Sequence, residues 1–347
     1  MPFDKITLRA GLIAGATLLA AASAQAQSSV TLYGIVDMFV QYGHGSTGNG
    51  FSVQSGGVSS SRIGLKGSED LGGGLSAKFQ LEQGILADTG ALGQGGLAWG
   101  RQAWVGLSST SWGALSLGRQ NLPQYIILDS FDTFGTGAGS SAESGVVSTV
   151  SRADNSVVYQ TPSFGGLQGS VMVATGETDN HADYGNKYAA GATYTAGAFS
   201  AGLAVNVFKA TASTNVDSRY ALLTAAYDFG VAKVSGAVQS VRNSGDVDSN
   251  DRREMMLGVT VPVSATDTLS AAVGASRTAH TSGGSGVQWS FGEAHALSKR
   301  TKLYAVASFI NNGGQKAYTT TAATGEGPVT TAGKDVSSLQ VGIRHAF

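Results

Sequence analysis

The chain has no cysteine among its 347 residues, so disulfides and thiolate metal sites are excluded. Charge is scarce as well. Asp, Glu, Lys and Arg make up 13% of the residues and nearly cancel, leaving a formal net charge of −1. That balance excludes a basic nucleic-acid binder, and no nucleic acid is expected as a partner. Proline is held to five residues. Past the N-terminal segment, no apolar run reaches the ~20 residues a membrane-crossing helix needs. What is present instead is glycine, 50 residues of it, with an apolar fraction of 42% spread along the whole length. So much glycine with so little charge is unusual for a soluble domain. It suits a membrane β-barrel, whose apolar residues occupy every second position of its strands.

Residues 1–26 read as a cleaved export signal. Lys5 and Arg9 form a positive start, Ala10 to Ala22 a short apolar stretch, and Ala24-Gln25-Ala26 a small-x-small cleavage site. Its removal takes Lys+Arg from 22 to 20 and Asp+Glu from 23 to 22, so residues 27–347 carry a net charge of −2. These residues are expected to form one outer-membrane β-barrel domain.

Sixteen strand-like segments follow, from 30–42, 60–69, 75–86, 98–108 and 114–120 through to 301–310 and 335–347. Their connections alternate between long (43–59, 87–97, 121–150, 178–186, 210–217, 243–251, 279–286, 311–334) and short, as in 70–74, 109–113 and 298–300. Outer-membrane barrels pair short periplasmic turns with long outside loops and use an even number of antiparallel strands. The fold class is therefore an all-β, 16-stranded antiparallel transmembrane barrel. Within strands the faces separate by parity: Leu75, Ala77, Phe79 and Leu81 oppose Ser76, Lys78, Gln80 and Glu82. The chain closes on Leu339, Val341, Ile343, His345 and Phe347 in one parity, with Gln340, Gly342 and Arg344 in the other. That strand needs a partner for its edge, which in a closed barrel is the first strand. Aromatics near strand ends, including Tyr33, Tyr42, Tyr227, Phe229, Tyr304 and Phe347, suit interfacial girdles. Arg119 breaks parity with Leu115 and Leu117 and calls for a bulge at Gly118 or a rim position. Parity does not decide whether Arg101 or Gln102 faces the lumen.

Several motifs resemble the trimeric general porins of Gram-negative β-proteobacteria. They are Ser29-Val30-Thr31-Leu32-Tyr33-Gly34 with Asp37, the run from Ser61 to Gly72, Arg101-Gln102-Ala103-Trp104-Val105-Gly106-Leu107, Leu117-Gly118-Arg119-Gln120, Arg152 with Asp154 to Tyr159, Leu297 to Thr301, and Gly342 to Phe347. The resemblance spans the mature chain in family order. It implies a homotrimer, passive diffusion of ions and small hydrophilic solutes, and a third outside loop folded into the lumen as a constriction. Outer-membrane lipid and lipopolysaccharide are the surroundings this placement implies.

Residues 121–150, the longest interior connection, are read as that loop, with no secondary structure of their own. The loop carries Asp129, Asp132 and Glu143, and its Tyr125, Phe131 and Phe134 suggest packing against a wall. Facing cations are expected from Arg62, Lys66, Arg101, Arg119 and Arg152. Opposed charges of this kind sort solutes by charge; ordinary ion pairs or solvated rims are the bland alternative. The sign of the selectivity is left open.

Other signals carry less. Gly43-His44-Gly45-Ser46-Thr47-Gly48 matches a dinucleotide fingerprint but leads into no helix. Asp246-Val247-Asp248-Ser249-Asn250 mimics the start of a calcium loop, yet Asp251 and Leu257 stand where glycine and glutamate are needed. The five histidines (His44, His181, His280, His295, His345) show no ligand spacing. No cofactor, metal or catalysis is expected, since no nucleophile–base–acid set is apparent for an outer-membrane enzyme. A substrate-specific channel, or a barrel acting mainly as adhesin or receptor, is the alternative.

Overall fold

The computed structural model describes residues 29–177, 183–211, 216–244, 251–278, 284–320 and 327–347. The expected signal at 1–26, the calcium-like tip at 246–250, and His181 and His280 lie outside the described residues. The strands are β1 (Ser29–Gly45), β2 (Gly48–Ser55), β3 (Arg62–Gly72), β4 (Leu75–Leu86), β5 (Ala91–Leu92), β6 (Gln102–Ser109), β7 (Gly113–Asn121), β8 (Arg152–Gln160), β9 (Leu167–Ala174), β10 (Lys187–Ala196), β11 (Phe199–Phe208), β12 (Asp217–Asp228), β13 (Lys233–Ser244), β14 (Arg252–Pro262), β15 (Asp267–Thr278), β16 (Ser285–Ala296), β17 (Thr301–Asn312) and β18 (Val336–Ala346). Each pairs antiparallel with a neighbour. β18 returns to β1 from Ile35↔Ala346 to His44↔Ser337, closing the sheet.

The barrel has sixteen staves. β5 is a two-residue spur on β4, and β2 and β3 share one stave against β1. Ser29 to Ile35 of β1 pair with β3, and Met38 to Gly45 pair with β2. Between them, residues 56–61 dip inward over Asp37, whose backbone carbonyl accepts the Gly56 N–H at 2.7 Å. The connection expected at 43–59 is thus mostly strand. Gly48, at φ +112°, makes the turn, and the alternating Phe51 and Val53 are hidden among glycine and serine.

Parity holds along the wall. Outward residues such as Leu223, Val238, Met255, Leu257, Leu339 and Val341 are exposed, as lipid-facing positions are, while inward Gln41, Thr224, Gln239, Gln288 and Gln340 are buried. Two expected girdle aromatics point inward instead: Tyr33 donates to Glu82 (2.8 Å) and Tyr304 to Asp37 (2.6 Å). The irregularity near Gly118 is present with its surplus residue on β8: Gly118 pairs with Ser156 but Gln120 with Ala153, and Asn155 takes φ +52°.

Candidate functional site: a constriction inside the barrel

Between β7 and β8 the chain turns into the lumen. Pro123 opens a helix, α1 (Pro123–Phe131), where fixed φ and a missing N–H cost nothing. The reading of 121–150 as lacking an element of its own is therefore corrected. Ile127, Leu128 and Phe131, spaced three and four apart, form one apolar face. That face packs on Ala204, Leu222, Ala226, Ala237 and Met256 of the far wall. Inward positions there are small for a reason. A Cβ at Gly202 would lie 2.6 Å from the Ile127 Cγ2, and one at Gly191 2.8 Å from its Cδ1.

Polar side chains of the wall hold the rest of the loop. Glu254 is buried and accepts the Ser148 N–H at 2.8 Å together with its hydroxyl. Gln239 bridges the two, donating to Ser148 O and to Glu254, both at 2.7 Å. Gln288 donates to the carbonyls of Gly139 (3.1 Å) and Ser140 (3.3 Å). The Ala138 N–H donates to Gly57 O at 2.9 Å, joining the loop to the inward dip of the β2–β3 stave. Asp37 fixes that dip by accepting the Ser59 N–H at 2.8 Å.

The loop, the dip and the wall enclose a cavity of about 310 Å³ lined by Arg62, Arg101, Arg152, Tyr125, Asp129 and Glu143, with serine and threonine hydroxyls between them. Five of the expected site residues are thereby brought together. Glu82, which sequence reading placed only on a polar face, holds two of these arginines. It pairs with Arg101 at 2.6 Å and approaches Arg62 at 3.8 Å. Arg152 donates to Ser151 Oγ at 3.2 Å, and its buried Nε has no partner among the described residues. The choice between Arg101 and Gln102 is answered here: Arg101 reaches Glu82, while Gln102 faces a separate space that Pro123, Ile126 and Ile127 of α1 also line.

Three expected residues do not meet the others. Lys66 lies over the Tyr33 ring, 5.2 Å from its centroid. Arg119 keeps the parity of Leu117, donates to Gly100 O at 2.8 Å and pairs with Asp154, because the surplus residue is in β8 and does not turn β7 around. Asp132 accepts the Phe134 N–H at 2.8 Å and the Ser140 hydroxyl, turned back onto its own loop. Burial raises the Asp132 carboxyl to about 6. Burial, then repulsion from Asp132, raises that of Glu143 to about 7. Burial also raises Asp129, which accepts the Thr136 hydroxyl.

The wall adds cations that sequence reading passed over. Arg344 donates to Ser59 Oγ at 3.2 Å, and Lys302 stands opposite it in register. The inward parity of Arg344 was legible in the last strand. Positive side chains thus run from Lys302 and Arg344 to Arg62, Arg101 and Arg152. The facing acids are raised by burial or, like Glu82, already paired.

Residues 11–315 match the family described as Gram-negative porin. The outer membrane porin protein 32 of Delftia acidovorans is 36% identical, over 98% of this chain and 100% of its own. An outer membrane porin of Bordetella pertussis is 32% identical over 89% and 94%. Among solved structures, an anion-selective porin from Comamonas acidovorans superposes with a TM-score of 0.82 at 32% identity, covering 92% of this chain and all of that one. In-vitro folded OmpT of Vibrio cholerae, in its trimer form, shares the fold at a TM-score of 0.70 and 18% identity.

Proposed function

The chain belongs to the Gram-negative porin family and is an outer-membrane channel for passive diffusion rather than an enzyme, and we propose that it passes small hydrophilic anions in preference to cations, with Arg62, Arg101 and Arg152 setting that preference. One observation carries the reading: three guanidinium groups share a cavity with two acids, Asp129 and Glu143, both raised by burial. A charged ring at the narrowest point selects because an ion there has shed most of its water and feels the field at short range. Net charge does not predict the sign, since the mature chain is slightly negative. The relative described as an anion-selective porin supports the same sign.

Residues 1–26 are proposed as the export signal, and 121–150 as the element that sets the size cutoff. A homotrimer embedded among outer-membrane lipid and lipopolysaccharide is the proposed assembly. The Arg119–Asp154 pair supports it: it sits on the wall next to the exposed, cross-strand Leu117 and Val157, where a neighbouring copy covers an ion pair better than lipid tails do.

The test is the zero-current potential of the refolded protein in a planar bilayer under a salt gradient. Anion preference is expected for the native chain. Arg62→Gln and Arg152→Gln should each lower the anion-to-cation permeability ratio by about threefold, as the loss of one of a few fixed charges at close range implies. A cation-preferring native pore, or variants that leave the potential unmoved, would overturn the assignment. A native mass of three chains checks the assembly.

A further inference from the structure

Four arginines stand on the outer wall, where no part of the pore reaches them. Arg219 of β12 is directly opposite Arg242 of β13, and Arg253 of β14 is directly opposite Arg277 of β15. All four are exposed. Their parity is that of Leu223, Val238, Met255 and Val273, the lipid-facing side. Each lies within three residues of the strand end that meets a long connection, so the row marks the outer-leaflet rim.

Like charges facing each other across a strand pair destabilise it. Among the described residues none of the four has an ion pair or hydrogen bond to relieve the repulsion. Acids close by in sequence are engaged: Asp217, which also feels the charge of Arg219, pairs with Lys209 at 2.8 Å, and Asp251 accepts the Asn243 N–H at 2.8 Å. Below the row, small Ala221, Ala225, Gly236 and Ala275 leave the wall hollow between larger side chains. Two grooves of about 940 and 870 Å³ result, sharing Leu223, Val238, Met255 and Ala275 and so continuous. Arg253 and Arg277 line the upper groove. The lower ends at Tyr227 and Phe229, eight residues from Arg219 along β12 for Tyr227, or ~26 Å at ~3.3 Å per residue.

Guanidinium forks at the membrane surface above an apolar channel of acyl-chain length fit one occupant. We propose that the outer wall of β12–β15 is a binding site for a phosphate-bearing glycolipid of the outer leaflet, the lipid A part of lipopolysaccharide. Its phosphates bridge the opposed arginines, and its acyl chains fill the grooves. The proposal rests on the outer-membrane reading above and adds to it a place and a recognition chemistry.

Refolded protein in detergent is titrated with bisphosphoryl lipid A, with the same lipid A stripped of phosphate, and with inorganic phosphate, and the thermal midpoint of sheet loss is read. Bisphosphoryl lipid A is expected to raise the midpoint of the native chain, and the triple variant Arg242→Gln, Arg253→Gln, Arg277→Gln to need at least about tenfold more of it. Phosphate-free lipid A should not tell the two proteins apart. Ala275→Trp, which fills the groove and keeps every charge, should weaken lipid A as well. Equal responses of native and triple-variant protein to bisphosphoryl lipid A overturn the site. So does a full shift from inorganic phosphate alone, which assigns the arginines to a free anion. Single-channel steps of both proteins are recorded in parallel. Silence in both means that the pore reading has failed, while the lipid titration stands by itself.

Discussion

At the residue scale the proposed constriction is a contest between groups of unequal freedom. Arg101 and Arg62 lean on Glu82, while Arg152 keeps a buried Nε without a partner among the described residues. The loop acids are held protonated longer than usual, Asp132 to about 6 and Glu143 to about 7. A carboxyl with a raised value is charged only above it, so negative charge leaves the loop as the pH falls from 8 to 5. Anion preference should therefore grow over that interval, most steeply near pH 7, and Glu143→Gln should remove the part near pH 7. Zero-current potentials at stepped pH check this; a flat profile would mean that these acids do not act on the permeating ion. The acids were visible in the sequence. Glu82 was visible only as one polar residue among four, because nothing local says that Arg101, nineteen residues on, will fold back to it.

At the element scale the loop is a helix and a strap, held at three places. Glu254 is the buried charged hold, and Glu254→Ala leaves the Ser148 N–H and Arg252 without their acceptor and Gln239 with Ser148 O alone. Losing a buried charged acceptor costs about 3 kcal/mol, which a lowered unfolding midpoint should show, with noisier open-channel current if the strap loosens. Conductance as quiet as the native pore's would place the hold elsewhere. At the other end, Gly202→Leu sets a side chain against Ile127. Overpacking of that kind costs roughly 1–3 kcal/mol, and α1 should shift toward the lumen and reduce single-channel conductance. The helix was legible after the fact: Pro123 followed by Ile127, Leu128 and Phe131 has the right start and spacing. It was hidden inside a long connection rich in glycine and serine. The same masking concealed β2.

At the scale of the whole molecule the barrel is a ring of hydrogen-bonded staves with one seam. Gly34 and Phe347 exchange both backbone bonds there, at 3.2 and 3.1 Å, and the Phe347 ring covers Gly34. Deleting Phe347 removes the last rung of closure. The barrel should then unfold at lower denaturant while its open-channel conductance stays native, since Phe347 is not among the residues lining the cavity. Unchanged urea midpoints would show that the seam is held by Ile35 to His44 alone.

The sequence by itself determined the barrel, its strand count, its inside and outside, and its compartment. Those follow from a period of two repeated along the wall and from the alternation of loop lengths, both local signals. The tertiary structure alone decided which charges meet. Glu143 meets Arg62, Arg101 and Arg152 because a loop without periodicity is tied to wall positions more than a hundred residues away, as Ser148 is to Glu254. The outward row of Arg219, Arg242, Arg253 and Arg277 has the same origin, since cross-strand register sets it and no stretch of sequence displays it.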